Sequence, residues 1–140
     1  MARTTKLVAD VAMIAEGRVL LVRYRDTRRY DGQRGWFLPD DFLAELEHPD
    51  TAAARILSEQ AAVEARPALS HVESFGDGAW HLVFHYALEL GSAPGVVPGP
   101  NVAAAEWFAL DALPAPEAVA HGGWALEVLA EIARRRAVRS

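Results

Sequence analysis

The stretch that most constrains this chain changes character twice within thirty residues. Gly35-Trp36-Phe37-Leu38-Pro39 reads as a short strand, DDFLAELEH (residues 40–48) as a polar loop, and from Pro49 the sequence turns alanine-rich. Pro49 suits the first turn of a helix, because its missing N–H has no intrahelical partner to lose, and Asp50 faces the positive end of the helix dipole. Good helix formers dominate from Thr51 to about Val63, and Arg66-Pro67 ends the element. A strand, a tight loop and a helix in immediate succession require a sheet onto which the helix folds back.

The flanking sequence supplies that sheet. Val8 to Ala15 is apolar and Arg18 to Tyr24 partly alternates, with Glu16-Gly17 between them, which predicts a hairpin. Ala68–Ser74 and Ala79–Leu90 read as strands around the turn Gly76-Asp77-Gly78; the second is rich in β-branched and aromatic residues. Ser92–Pro100 is a loop by composition, Ala104–Leu110 a strand, and Asp111–Pro114 a turn or short helix. Trp124–Arg136 predicts a closing helix with Leu126, Leu129 and Ile132 on its apolar side and Arg134–Arg136 at its C-terminal end. This order specifies an α+β sandwich. At 140 residues, 1–140 is expected to form a single domain with a core of its own.

Residues 38–65 resemble the Nudix box, G-x5-E-x7-R-E-U-x-E-E-x-G-U, the signature of Mg-dependent hydrolases that cleave diphosphates linked to another moiety. Leu38, Pro39, Phe42, Leu43, Glu47, Pro49, Ala53, Arg55 and Glu59 keep its register. The resemblance implies a Nudix-type α/β/α sandwich with a mixed β-sheet, and Mg2+ or Mn2+ as cofactor if the protein is active. It also marks Glu47, Arg55 and Glu59 as catalytic or orienting residues. Two of the family's three helix carboxylates are replaced, by Ile56 and Gln60, and its glycines by Asp40-Asp41, Leu46 and Ala62.

Magnesium needs oxygen ligands in near-octahedral array, and carboxylates three and four apart on a helix face one site. Ile56 offers no ligand and Gln60 no charge. A rebuilt site would draw on Glu59, Asp40 (with Asp41) and Glu106, which precedes a Trp on the late strand. Against this, Arg55 and Glu59 also read as an ordinary i, i+4 helix pair, and a lone Glu at a strand end is commonly solvated. Aspartate tolerates the left-handed backbone better than most residues, so the loop's turn can survive at Asp40-Asp41.

Charge is uneven around this motif. Arg18, Arg23, Arg25, Arg28, Arg29 and Arg34 crowd the stretch before Trp36, and an acidic segment follows. Arg23, Arg25 and Arg34 are therefore the expected phosphate ligands, with Trp36 as a stacking platform, although aromatic residues in a small sandwich are more often core. His71, His81 and His85 lie on predicted strands without zinc spacing.

A net charge of −5 argues against a general nucleic-acid binder. With no cysteine there is no disulfide framework or thiolate chemistry. No apolar run approaches the roughly 20 residues that span a bilayer, and a cytoplasmic protein without membrane association is expected. The expected partner is a small phosphorylated ligand such as a nucleoside diphosphate derivative; homodimerisation stays open. Three functions fit: a Nudix-fold ligand binder with impaired or lost catalysis, a working Mg-dependent pyrophosphohydrolase with an unusual metal site, and a protein-interaction scaffold.

Overall fold

A computed structural model describes residues 4–76 and 78–139. The hairpin forms as expected: β1 (Thr5–Ala15) turns into β2 (Arg18–Tyr24) through Glu16 and Gly17, both with positive φ (53° and 71°). Two consecutive left-handed residues match the right-handed twist of the strands they join. The hairpin's ladder is short. Only Ile14↔Val19 and Ala15↔Arg18 pair, after which the strands part and residues 36–42 enter between them. Phe37 exchanges both backbone hydrogen bonds with Val22 (2.8 and 2.9 Å), and Val11 N–H donates to the Pro39 carbonyl at 3.0 Å.

The predicted strand at Trp36–Leu38 is thus reduced to isolated bridges, and the regular strand β3 begins later, at Asp40–Phe42. Asp40 and Asp41 are extended and pair with Asp10 and Ala9 of β1, so the expected left-handed turn at these positions does not form. Long-range pairing outweighs local turn preference here. On its other side β1 runs parallel to β5 (Trp80–Leu90) along its whole length. β4 (Ala68–Gly76) and β6 (Val102–Ala109) complete a mixed sheet in the order β4-β5-β1-β2-β6. The turn expected at Gly76-Asp77-Gly78 contains Asp77, which lies outside the described residues.

One helix covers each face. α1 (Pro49–Ala61) lays Ala52, Ala53, Ile56, Leu57 and Ala61 against Ala9, Val11 and Met13 of β1, Leu20 and Tyr86. Its small alanines let the helix approach the sheet closely. The loop after β5 then closes over its C-terminal end: Gly99 N–H donates to the Gln60 carbonyl at 3.1 Å, and a Cβ at Gly99 would stand 2.0 Å from the Glu59 carbonyl oxygen, so no other residue fits. α2 (Ala120–Arg139) is regular only from Trp124, because His121, Gly122 and Gly123 have positive φ. It packs Ala125, Val128, Leu129 and Ile132 on the opposite face, against Ala12, Ile14, Val19, Leu21, Trp36 and Leu38. Among the described residues no helix is long and apolar enough to cross a membrane.

Candidate functional site

Arg55 organises the box segment. Its guanidinium grips Glu47 through two bonds (Nε–Oε2 2.9 Å, Nη2–Oε1 3.0 Å), meets Asp41 at 3.1 Å, and donates to the Phe42 carbonyl at 3.0 Å. Glu47 in turn accepts from Ala44 N–H at 2.9 Å, and these bonds to Arg55 and the backbone hold its carboxyl below the usual range. Glu59 stands 3.4 Å from Arg55 with 57% of its side chain exposed. Glu47, Arg55 and Glu59 are therefore brought together, but as an ion-pair network that ties loop to helix.

The two replaced carboxylate positions face inward. Ile56 is fully buried in the core beneath α1, where an isoleucine contributes about 1.5–3 kcal/mol by leaving water. Gln60 is also buried. Its Nε2 donates to the Asp40 carbonyl (2.8 Å) and its Oε1 accepts from Tyr24 Oη (2.8 Å), while Asp40 N–H donates to the same Tyr24 oxygen (3.0 Å). The Tyr30 hydroxyl adds a bond to the Asp40 carbonyl at 3.3 Å, and the two tyrosine rings stack at 3.8 Å. Burial raises the pKa of both phenols, with the neighbouring Asp40 charge acting in the same direction, so the network is neutral.

The other expected metal residues lie elsewhere. Glu106 pairs with Leu21, whose side chain sits in the core under α2, so it occupies the face opposite α1 and is exposed. The structure does not bring it to Glu59. The Asp40 side chain likewise turns to the α2 face, sharing the register position of Asp10. There it lines a cavity of about 470 Å³ bounded by β1, β3, β4, β5 and the start of α2. Asp40 is only 7% exposed, and among the described residues its carboxyl group has no hydrogen-bond partner, but neither oxygen is sealed from the cavity. Burial, followed by repulsion from Asp10, Asp41 and Asp31, raises its pKa well above the usual carboxylate value.

The cavity's basic groups are already engaged: Lys6 pairs with Asp31 (3.4 Å), His121 Nε2 lies 3.0 Å from the same carboxylate, and Arg29 pairs with Asp41 (2.7 Å). Phe42, Phe75 and Trp124 contribute aromatic wall. At one end, His85 Nδ1 lies 2.7 Å from Asp10 and its Nε2 2.6 Å from Glu73, whose carboxylate also accepts from Trp124 Nε1 at 3.3 Å. Burial works against a charged His85, but the two carboxylates prevail and its pKa is raised.

The expected phosphate arginines are not in this cavity. Arg23, Arg25 and Arg34 line a separate open cleft of about 510 Å³, with Gln33, Gly35 and Glu117 among its other walls. Trp36 is core, 7% exposed, with the Arg23 guanidinium 4.4 Å above its ring. Sequence reasoning missed Glu73, His121 and Trp124 as cavity residues, and Asp10 beside the cavity. One signal was available for Asp10, the sole charge inside the apolar run Val8–Ala15. A second lay in the β4–β5 hairpin, whose centre near Gly78 sets His71 opposite His85.

Comparison with known proteins decides what this arrangement belongs to. The sequence matches the NUDIX domain over residues 4–128. The chain belongs to the NUDIX family. Among solved structures it is similar to a MutT NUDIX hydrolase from Burkholderia pseudomallei (27% identity, 90% of this chain and 98% of that one, TM-score 0.70). It is also similar to a bifunctional NMN adenylyltransferase/ADP-ribose pyrophosphatase from Francisella tularensis in complex with AMP and a Mn ion (14%, 94% and 43%, 0.73). A third is a C. elegans Ap4A hydrolase binary complex (15%, 92% and 98%, 0.68). No curated protein matches. The Nudix α/β/α sandwich around a mixed sheet is confirmed, and the box maps onto residues 41–63, from the start of β3 to just beyond α1.

Proposed function

We propose that this Nudix-family protein binds a small phosphorylated ligand of the nucleoside diphosphate class in the 470 Å³ cavity and has lost efficient Mg-dependent hydrolysis at the box. One observation carries the reading. The positions of two family carboxylates hold a core isoleucine and a glutamine whose amide is consumed by Tyr24 and the Asp40 carbonyl.

The residues present do not fit a magnesium ion at the box. Asp41 and Glu47 are spent on Arg55, Gln60 Oε1 accepts from Tyr24, and Glu59, mostly exposed, also pairs with Arg55. Magnesium requires several oxygens converging on one point, and no such set converges here.

Ligand binding is supported by the cavity's composition. Phe75 and Trp124 offer ring surface for a base, and Lys6 and Arg29 offer charge for phosphate once released from Asp31 and Asp41. Asp40, buried and unbonded, offers a hydrogen-bonding group to a base edge. Relatives of this fold named for ADP-ribose and Ap4A point to the same ligand class. The test is thermal shift against AMP, ADP-ribose and Ap4A, with and without Mg2+. The reading expects at least one stabiliser whose effect survives EDTA, since a ligand that binds only the folded state raises its stability by mass action. Flat responses throughout would instead favour the protein-interaction alternative.

A further inference from the structure

His71, Glu73 and His85 occupy adjacent positions on β4 and β5, and one ligand atom from each lies within 4.8 Å of the others. Tetrahedral zinc with bonds of about 2 Å sets its ligands about 3.3 Å apart, so small side-chain rotations close the set around one ion. His71 and His85 face each other across the strand ladder, with ring centroids 4.6 Å apart. Both are buried, and Glu73 reaches into the cavity wall, which gives an ion a path inward.

The surroundings of this cluster favour an ion more than the three ligands alone do. Each histidine has its other nitrogen anchored. His85 Nδ1 is fixed by Asp10 at 2.7 Å, and His71 Nδ1 stands 3.0 Å from Ser70 Oγ. Metal-bound imidazoles characteristically hand their second N–H to such a partner, which sets both tautomer and ring direction. Trp124 Nε1 orients Glu73 in the same way.

Charge points in the same direction. An imidazole that donates Nδ1–H to Asp10 and Nε2–H to Glu73 sets at most one positive charge between two carboxylates. A divalent ion balances both.

We propose that His71, Glu73 and His85 form a binding site for a divalent transition ion of the zinc type, with Asp10 and Ser70 as outer supports. Binding expels the proton between His85 Nε2 and Glu73 into solvent, and the ion takes its place. The site lies on the α2 face, with Glu73 in the wall of the cavity that Asp40 lines, and it is independent of the box helix.

The test uses the full chain, stripped of metal and titrated with Zn2+ by calorimetry and with Co2+ by visible absorption. One equivalent with a dissociation constant in the micromolar range or tighter is expected, with a Co2+ spectrum of low-coordinate type. His71→Gln and Glu73→Gln should each weaken binding at least tenfold while circular dichroism stays unchanged. Replacing exposed His48 by Gln should change nothing. Absence of a stoichiometric site, or His71→Gln and Glu73→Gln variants that bind like the parent, overturns the assignment.

Discussion

The two faces of the central sheet treat their acidic groups in opposite ways. Under and beside α1 the acids are paired with Arg55, Glu47 and Glu59 at their family spacing and Asp41 in place of a glycine, and the space left by the missing carboxylates is filled by Ile56 and the Gln60–Tyr24 pair. On the α2 face, Asp40 lies buried without a partner and Asp10 and Glu73 share one histidine. On the proposed reading, the box side, which carries the family signature, now serves structure. The acids without a cation of their own lie around the cavity.

That contrast can be broken by mutation. The largest effect is expected on the box side: Arg55→Ala leaves Glu47 without its cation, leaves Asp41 with Arg29 alone, and frees the Phe42 carbonyl. Arg55 keeps 26% of its side chain exposed, so solvent screens part of the loss. A cost of about 2–3 kcal/mol in urea unfolding is expected. A loss under about 0.5 kcal/mol would mean that the ion-pair network does not hold the loop.

A smaller effect of opposite sign is expected at Asp40. Its folded pKa is raised by burial, so its favourable contribution is complete below the unfolded value near 3.8 and is lost as pH rises through the folded value. Asp40→Asn should therefore raise the melting temperature at pH 8 and change it little near pH 4. Equal shifts at both pH values would show that the carboxyl is already satisfied in the folded protein.

The smallest effect concerns backbone strain. Leu46 and Ala62 stand where the family has glycine and adopt φ of 64° and 57°. Ala62→Gly removes a left-handed penalty of about 1–2 kcal/mol but adds glycine's unfolded-state entropy, for a net gain of about 0.5–1 kcal/mol. Denaturant midpoints measure it, and a loss of stability would place the strain elsewhere.

What sequence reasoning captured was local. Pro49 and Asp50 marked the start of α1, Glu16-Gly17 the hairpin, and Trp124 the point where α2 becomes regular, because each depends on a few neighbouring residues. The spacing of Glu47, Arg55 and Glu59 likewise carried their proximity. What escaped it depends on distant chain. Asp40 and Asp41 are extended because β1 offers them a ladder thirty residues earlier in the sequence. The parity of Glu106 is set by its register with Leu21, which sends it to the face opposite α1. The basic run is divided by the fold: Arg23, Arg25 and Arg34 line one cleft and Arg29 the other, a separation that no window of sequence contains.

The central claim is that the box has exchanged its metal chemistry for a neutral, buried network. Its most direct measurement is Mg-dependent phosphate release from ADP-ribose and Ap4A by the parent and by an Ile56→Glu, Gln60→Glu double variant, assayed side by side. The account predicts background release from the parent. The variant, destabilised without metal by a carboxylate placed in the core, should recover thermal stability with Mg2+ and gain turnover. Sustained Mg-dependent turnover by the parent, abolished by Glu59→Gln, would contradict it.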